Sequence, residues 1–155
     1  MNSTIAVNCI NSGTTRTIRK GTSLSELISE FSVEMKNPIL GAMVNNELEE
    51  LSFEVFRPIS IQFIDITHPD GMRMYLRGLS FVLYKAVDEL FPDSGLIINH
   101  SISKGVYCEI KTLQQGLKTE DVAKVKERMK EIIEADLPFI QMEEETEEVI
   151  KKFEI

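Results

Sequence analysis

Residues 1–65 combine short strand patterns with a single helical pattern. Ser23 and Glu26 have the spacing of a capping box, and apolar residues at helical spacing follow them, which predicts a short amphipathic helix. A turn before the second strand pattern contains Gly13, which favours a hairpin because glycine readily adopts positive φ. Together these patterns give the order ββαββ and predict a small α+β roll. The strand patterns cover residues 5–10, 14–18, 39–44 and 59–64.

Residues 66–71 collect turn formers and interrupt both periodicities. They include His68 and Asp70, and a histidine beside a carboxylate is a combination that catalysis can use. Neighbouring side chains seldom reach the same substrate atom, however, and proline, aspartate and glycine together favour a turn. We therefore predict a linker at 66–71 between two domains, residues 1–65 and 72–155.

The second domain is predicted to contain long helices and a hairpin. Apolar residues recur at helical steps and stop before Pro92, and a later helical pattern stops before Pro138. The expected elements are a helix from Leu76 to Leu90, a hairpin of strands 96–102 and 106–112 around a turn at 103–105, a helix capped by Thr119, and a last helix from Thr146 that buries Val149, Ile150 and Phe153.

Composition constrains the function more than the fold. With 43% apolar residues, a chain of 155 residues can bury a core without disulfides or metals. Its net charge of −8 repels phosphate backbones and anionic lipids, which argues against DNA binding and membrane binding through overall charge. The two cysteines, Cys9 and Cys108, form no disulfide framework, and no apolar run approaches the roughly 18 residues of a membrane span. These features favour a cytoplasmic protein.

Four side chains at steps of four residues form a candidate ligand-binding face on the first long helix. Such steps bring residues to one side of a helix. A guanidinium binds phosphate through two hydrogen bonds, and an aromatic ring stacks on a base. The functional hypothesis is an anion or nucleotide site, while the simpler interpretation, favoured on sequence alone, is a solvated helix flank. The four residues are Arg73, Arg77, Phe81 and Lys85.

His100 and Cys108 are predicted to face each other across the second hairpin, on its inward side. Both residue types bind zinc, but a structural zinc site needs four ligands. Free cysteine is commonly buried as a small apolar residue. We therefore expect no metal in this chain and keep the pair only as a weak candidate.

Two groups of sequence strings resemble the N-terminal half of threonyl-tRNA synthetases. The first group resembles a TGS domain, a ubiquitin-like β-grasp module, and the second resembles the editing domain of the same enzymes. The resemblance implies an α+β fold in which a β-grasp domain precedes an α+β editing-like domain that is truncated at its C-terminus. The strings lie at residues 19–23, 42–48 and 51–52 for the first group and at 86–92, 103–107, 119–121, 126–133 and 136–138 for the second.

The sequence departs from the editing family at the residues that carry its chemistry. In the family, the first helix of the editing domain carries two histidines four positions apart. Counting back from the string at 86–92 places Arg77 and Phe81 at those positions. Neither side chain can act as a neutral nitrogen ligand or as a histidine-like base. The family's second pair, a cysteine and a histidine, is expected beyond Ile155, so the resemblance implies a degenerate editing domain without catalytic residues.

Bacterial nucleoside kinases of the uridine kinase type are similar in arrangement, with a TGS domain and a degenerate editing-like domain ahead of a P-loop kinase domain. This resemblance implies an accessory or regulatory region that acts on the downstream kinase domain of the same polypeptide, with a nucleotide or RNA as a candidate ligand. The chain contains no P-loop string, so ATP and Mg²⁺ are expected only in the parent kinase, which phosphorylates a nucleoside. Two alternatives stay open. One is a fragment of a threonyl-tRNA synthetase or a free-standing tRNA-editing hydrolase, and the other is a protein-interaction module that uses an exposed sheet edge.

Overall fold

The computed structural model describes residues 3–92, 94–103, 105–111, 116–140 and 142–152 in full, together with the backbone of Phe153. Over these residues the chain forms helices and strands in an α+β arrangement, which confirms the predicted class. The helices are α1 (Leu24–Glu30), α2 (Pro69–Leu90), α3 (Thr119–Glu134) and α4 (Thr146–Phe153). The strands are β1 (Thr4–Cys9), β2 (Thr14–Arg19), β3 (Thr22–Ser23), β4 (Gly41–Val44), β5 (Glu47–Glu49), β6 (Glu54–Val55), β7 (Ile59–Ile64), β8 (Leu96–Ile102) and β9 (Gly105–Ile110).

The chain divides into two compact units, Met1–Phe81 and Val82–Ile155. This division falls inside α2, whereas the sequence predicted a linker at 66–71. The difference arises because the first turns of α2 pack on the first unit. The predicted domain limits of 1–65 and 72–155 stay a prediction, because the boundary between two compact units need not coincide with the boundary between two evolutionary domains.

The first unit is a mixed five-stranded sheet in the order β2-β1-β7-β4-β5. β1 and β7 run parallel, and the other neighbouring strands are antiparallel. β1 alternates exposed and buried residues, as expected for a strand with one face on a core. α1 covers that face, and the apolar side chains between helix and sheet are removed from water. The largest of these side chains that are fully buried are Phe63, Leu24, Leu27, Ile61 and Val7.

The predicted capping box begins α1 as expected. The hydroxyl oxygen of Ser23 accepts the backbone N–H of Glu26 at 3.3 Å, and the Glu26 carboxylate accepts the backbone N–H of Ser23 at 2.9 Å. The bond from the Ser23 backbone foremost, and then a bond that the Ser23 hydroxyl donates to the same carboxylate at 3.0 Å, hold the pKa of Glu26 below its usual value. Two of the four unsatisfied amides that every helix start presents are thereby paired.

The second unit has a small core between its helices and its hairpin. Ala86, Val87, Val125 and Ile132 are its buried apolar residues among those described. Partly buried side chains at the base of the β8–β9 hairpin pack on this cluster. α3 begins after Lys118 and not after Thr119 as predicted, because the extended Lys118 donates its backbone N–H to the Asp121 carboxylate at 3.1 Å.

The last helix, α4, does not bury the whole apolar set that was predicted for it. Val149 is half-buried, but Ile150 is 50% exposed, so its predicted burial is wrong. The side chain of Phe153 lies outside the described residues, as does Lys104 in the predicted turn of the second hairpin. None of the described helices combines the length and the apolar character needed to cross a membrane.

Candidate functional site

The start of α2 is fixed by a polar cluster in the stretch that was predicted to be a linker. The buried carboxylate of Asp65 accepts the backbone N–H of Thr67 at 2.8 Å and the side-chain amide of Asn37 at 3.0 Å. The Thr67 hydroxyl also donates to it and is the first cause of its lowered pKa, followed by the Asn37 amide. A buried carboxylate held by several donors stays ionised, so Asp65 anchors the segment that leads into the helix.

His68 caps the helix and is not placed for catalysis. Pro69 is the first helical residue, a position where the missing N–H of proline has no consequence. Nδ1 of His68 accepts the backbone N–H of Asp70 at 3.2 Å, which satisfies one of the free amides of the first turn. The Asp70 carboxylate in turn pairs with Arg73. The His68–Asp70 string thus serves helix initiation, which explains why the helix begins within 66–71.

Two close approaches seat the beginning of α2 on the first unit. A Cβ added to Gly71 would overlap the carbonyl oxygen of Asp65 and lie 2.8 Å from its carbonyl carbon. A Cβ added to Gly41 in β4 would lie 3.0 Å from the sulfur of Met74. Gly71 is therefore needed for the helix to approach the backbone of Asp65, whereas the sulfur near Gly41 belongs to a flexible side chain that can move. These contacts determine where the next turn, with Arg77, is held.

In the first unit, the candidate ligand-binding face contains Arg73, Arg77 and Phe81. Arg73 pairs with Asp70 at 3.0 Å, although 66% of its side chain stays exposed. Arg77 is exposed and has no acidic partner among the described residues. Phe81 is 64% exposed. An exposed guanidinium one turn from an exposed ring can bind an anion that carries a planar group.

The fourth predicted residue, Lys85, takes part in an ion-pair network of the second unit. Its Nζ lies 2.8 Å from one carboxylate oxygen of Glu89, and Nε of Arg128 lies 2.6 Å from the other. Arg128 also donates to Glu131 at 2.6 Å. These bonds, that of Arg128 foremost, lower the pKa of Glu89 from 4.5 to about 2, and the two carboxylates raise the pKa of Arg128. Lys85 is therefore engaged with Glu89. No local pattern predicts the contact between Arg128 and Glu89, because these two residues are far apart in the chain.

His100 and Cys108 do not face each other, which corrects the predicted pairing. Cys108 pairs with Ile98, and the register of the hairpin shifts between Ile98 and Ser101. The ring of His100 instead lies near that of Tyr107, with 5.9 Å between centroids. An irregular pair of strands changes which residues are opposite each other, and sequence spacing does not reveal it.

Metal binding finds no support in the described part of the chain. In the ranges that the structure describes, no three histidine, cysteine or acidic side chains converge to hold a metal ion. Cys9 is buried in the first unit, and Cys108 lies in the hairpin of the second unit. The pair His100 and Cys108 stays a weak candidate for metal binding.

Comparison with known proteins relates the chain to one class of enzyme. No protein-family model matches it. Threonine–tRNA ligases are similar to it over most of its length: that of Desulforamulus reducens is 26% identical over 144 residues, or 93% of the chain, and that of Syntrophomonas wolfei is 27% identical over the same share. The ligase of Ehrlichia chaffeensis is 28% identical over 86% of the chain. The chain spans about a fifth of the length of these curated relatives, 21% to 22%.

The similarity shows that the chain is threonyl-tRNA synthetase-like. It runs through both units, because aligned segments of up to 144 residues cannot fit in either alone. It supports the synthetase alternative of the sequence analysis more directly than the kinase arrangement.

Proposed function

We propose that this chain is a non-catalytic accessory region of a larger enzyme, in which residues 1–65 form a TGS-type β-grasp domain and residues 72–155 a degenerate editing-like domain. The mixed sheet covered by α1 supports the first assignment. The similarity to threonine–tRNA ligases over 93% of the chain supports the order of the two. In this proposal the chain binds or positions a ligand for a catalytic domain and performs no hydrolysis itself.

Arg77 and Phe81 carry this proposal. They occupy the positions at which the resemblance places two histidines, and both are exposed on α2. Hydrolysis of an ester needs a base that can accept a proton or a metal that activates water. A guanidinium stays protonated in proteins, and a phenyl ring has no lone pair to offer. Neither residue can replace an imidazole in either role.

The parent enzyme is, in our proposal, a bacterial nucleoside kinase of the uridine kinase type. The substitution of both histidine positions supports it, because a kinase that uses the domain for recognition has no need of an editing base. ATP and Mg²⁺ would then bind to the P-loop domain of the parent protein, which transfers phosphate to a nucleoside, and this chain would contact that domain.

A threonyl-tRNA synthetase is the second candidate for the parent protein. Its specific support is that the relatives described above are threonine–tRNA ligases. The coding sequence after Ile155 separates the two candidates. A glycine-rich P-loop string would support the kinase, and class II synthetase core motifs would support the synthetase.

The ligand of the accessory region is, in this proposal, a nucleotide or a short single-stranded RNA that Arg77 and Phe81 recognise. Arg77 supplies an exposed guanidinium that has no acidic partner among the described residues, and Phe81 supplies an exposed ring for a base. Arg73 and Lys85 contribute charge but are already paired with Asp70 and Glu89. The site therefore depends chiefly on Arg77.

Isothermal titration of the chain with uridine monophosphate and with a short uridine-rich RNA tests this ligand. We expect saturable binding that weakens by about tenfold in Arg77→Ala, since a charge-assisted bond contributes roughly 1.5–3 kcal/mol. Arg19→Ala, which removes an exposed arginine in β2, is the matched control and should bind as the wild type does. Absence of saturable binding, or an equal loss in both variants, would contradict the ligand assignment.

A further inference from the structure

The first unit contains a groove whose lining includes none of the candidate site residues on α2. It has a volume of about 460 Å³ and opens beside the edge strand β5. Apolar side chains form its floor, since Val44, Val55 and Ile59 are all buried. A groove with an apolar floor accepts an apolar side chain of a ligand in preference to water.

Phe56 stands at the rim of this groove and is 59% exposed. A Cβ added to Gly21 would lie 3.5 Å from the Phe56 ring, so the ring rests against the Gly21 backbone on one side. Gly21 has φ of +79°, a conformation that other residues rarely adopt. The ring is therefore supported from one side while much of its surface faces solvent.

Three glutamates, Glu47, Glu49 and Glu54, also line the groove. Among the described residues, none of these three carboxylates has a basic partner in an ion pair. Arg57 is the one basic side chain of the lining, so acidic charge dominates. Carboxylates without partners repel phosphate and attract lysine and arginine. The charge of the groove thus excludes the nucleotide ligand proposed for α2 and fits a basic segment.

We propose that this groove binds an extended basic segment of a partner protein, with an apolar side chain on the groove floor and flanking arginines or lysines on the three glutamates. β5 forms an edge of the five-stranded sheet, and an edge strand offers its outer backbone groups to an added strand. An extended segment alternates its side chains, which matches one apolar residue between two basic ones. The inference is independent of the proposed function, because none of its residues lies on α2.

The test uses the whole chain and a capped peptide of alternating arginine and leucine. Amide shifts in a two-dimensional NMR titration report where the peptide binds, and calorimetry reports its affinity. We expect saturable binding with the largest shifts at Val55 and Phe56. Two control peptides, one with glutamate in place of arginine and one with serine in place of leucine, should bind at least about tenfold more weakly.

Two triple variants with the same change in net charge separate the groove from overall charge. Replacing Glu47, Glu49 and Glu54 by glutamine should weaken peptide binding by about tenfold, since exposed ion pairs contribute modestly and three of them add. The control variant replaces three glutamates outside the groove lining and should bind within about twofold of the wild type. Its substitutions are Glu30→Gln, Glu34→Gln and Glu50→Gln, all at exposed positions.

Phe56→Ser provides a second measurement if the groove variant folds poorly. The side chain is mostly exposed, so its loss should leave the fold intact while peptide affinity falls by about tenfold. The inference is overturned if the peptide does not bind saturably or if the two triple variants lose affinity equally. Shifts that map away from the groove, or tighter binding of a single-stranded RNA to the same residues, would overturn it as well.

Discussion

Replacement of Gly71 by alanine tests how closely α2 approaches the chain that precedes it. Gly71 lies in the first turn of α2, directly against the backbone carbonyl of Asp65. The added Cβ would overlap the carbonyl oxygen and stand 2.8 Å from the carbonyl carbon. Both atoms belong to the backbone, and Asp65 is held in place by Thr67 and Asn37. The overlap therefore cannot be relieved by the rotation of a side chain.

The magnitude follows from two opposing terms. Alanine in a helix is favoured over glycine by roughly 0.5–1 kcal/mol, while an overpacked contact that shifts the backbone costs about 1–3 kcal/mol. We therefore expect Gly71→Ala to lower the free energy of unfolding by about 1–2 kcal/mol. Gly78→Ala in the same helix is the matched control, since a Cβ added there meets no described atom within 4 Å apart from the helix's own backbone. This control should raise the free energy of unfolding by about 0.5–1 kcal/mol.

Urea unfolding followed by circular dichroism measures both variants, and hydrogen exchange of the amides of Met72 and Arg73 reports the first turn directly. The two alanine variants should differ by roughly 2 kcal/mol, with opposite signs relative to the wild type. Exchange at Met72 should accelerate in Gly71→Ala and stay unchanged in Gly78→Ala. If Gly71→Ala were as stable as Gly78→Ala, the close approach of α2 to Asp65 would be refuted.

Three further predictions concern the core of the first unit, the ion pair of Glu89 and the hairpin of the second unit. Leu27→Ala, which empties a fully buried site under the sheet, should cost about 2–5 kcal/mol in urea unfolding, and a cost below about 1 kcal/mol would contradict the burial. The stabilisation that Glu89 gains from Arg128 should be complete above its unfolded pKa of 4.5 and disappear as the pH falls toward about 2, because its folded pKa is lowered. The difference in urea midpoint between wild type and Glu89→Gln, measured from pH 7 to pH 2, should therefore shrink in that window. A constant difference would refute the ion pair. The double variant His100→Ala/Cys108→Ser should leave the zinc content measured by mass spectrometry unchanged, and a loss of stoichiometric zinc would restore the metal hypothesis.

Local chemistry made the first unit largely predictable. The capping box at Ser23 and Glu26 involves residues three apart, and the period-two strands show their burial in the sequence itself. The two-residue strands β3 and β6 and the three-residue β5 escaped prediction, because such short segments have no measurable period. The start of α2 was also missed, since the donors to Asp65 include Asn37, which no local pattern connects to it.

The candidate site was less predictable because it depends on contacts between distant segments. Lys85 is predicted to bind a ligand, yet it pairs with Glu89 one helical turn away, a spacing that the sequence itself shows. Only the contact of Arg128 with Glu89 requires α2 and α3 to pack. A shift of hairpin register separated His100 from Cys108. The glutamates of the groove carried no motif, because their proximity arises from the sheet and not from their spacing.

The central claim, that α2 supports recognition and not hydrolysis, is tested most directly by incubating the chain with threonine tRNA that carries serine. The release of serine is followed against a buffer blank, with an editing-competent threonyl-tRNA synthetase as the positive control. Because neither Arg77 nor Phe81 can act as a base or as a neutral metal ligand, we predict release at the rate of the blank. Release that clearly exceeds the blank, and that Arg77→Ala abolishes, would contradict it.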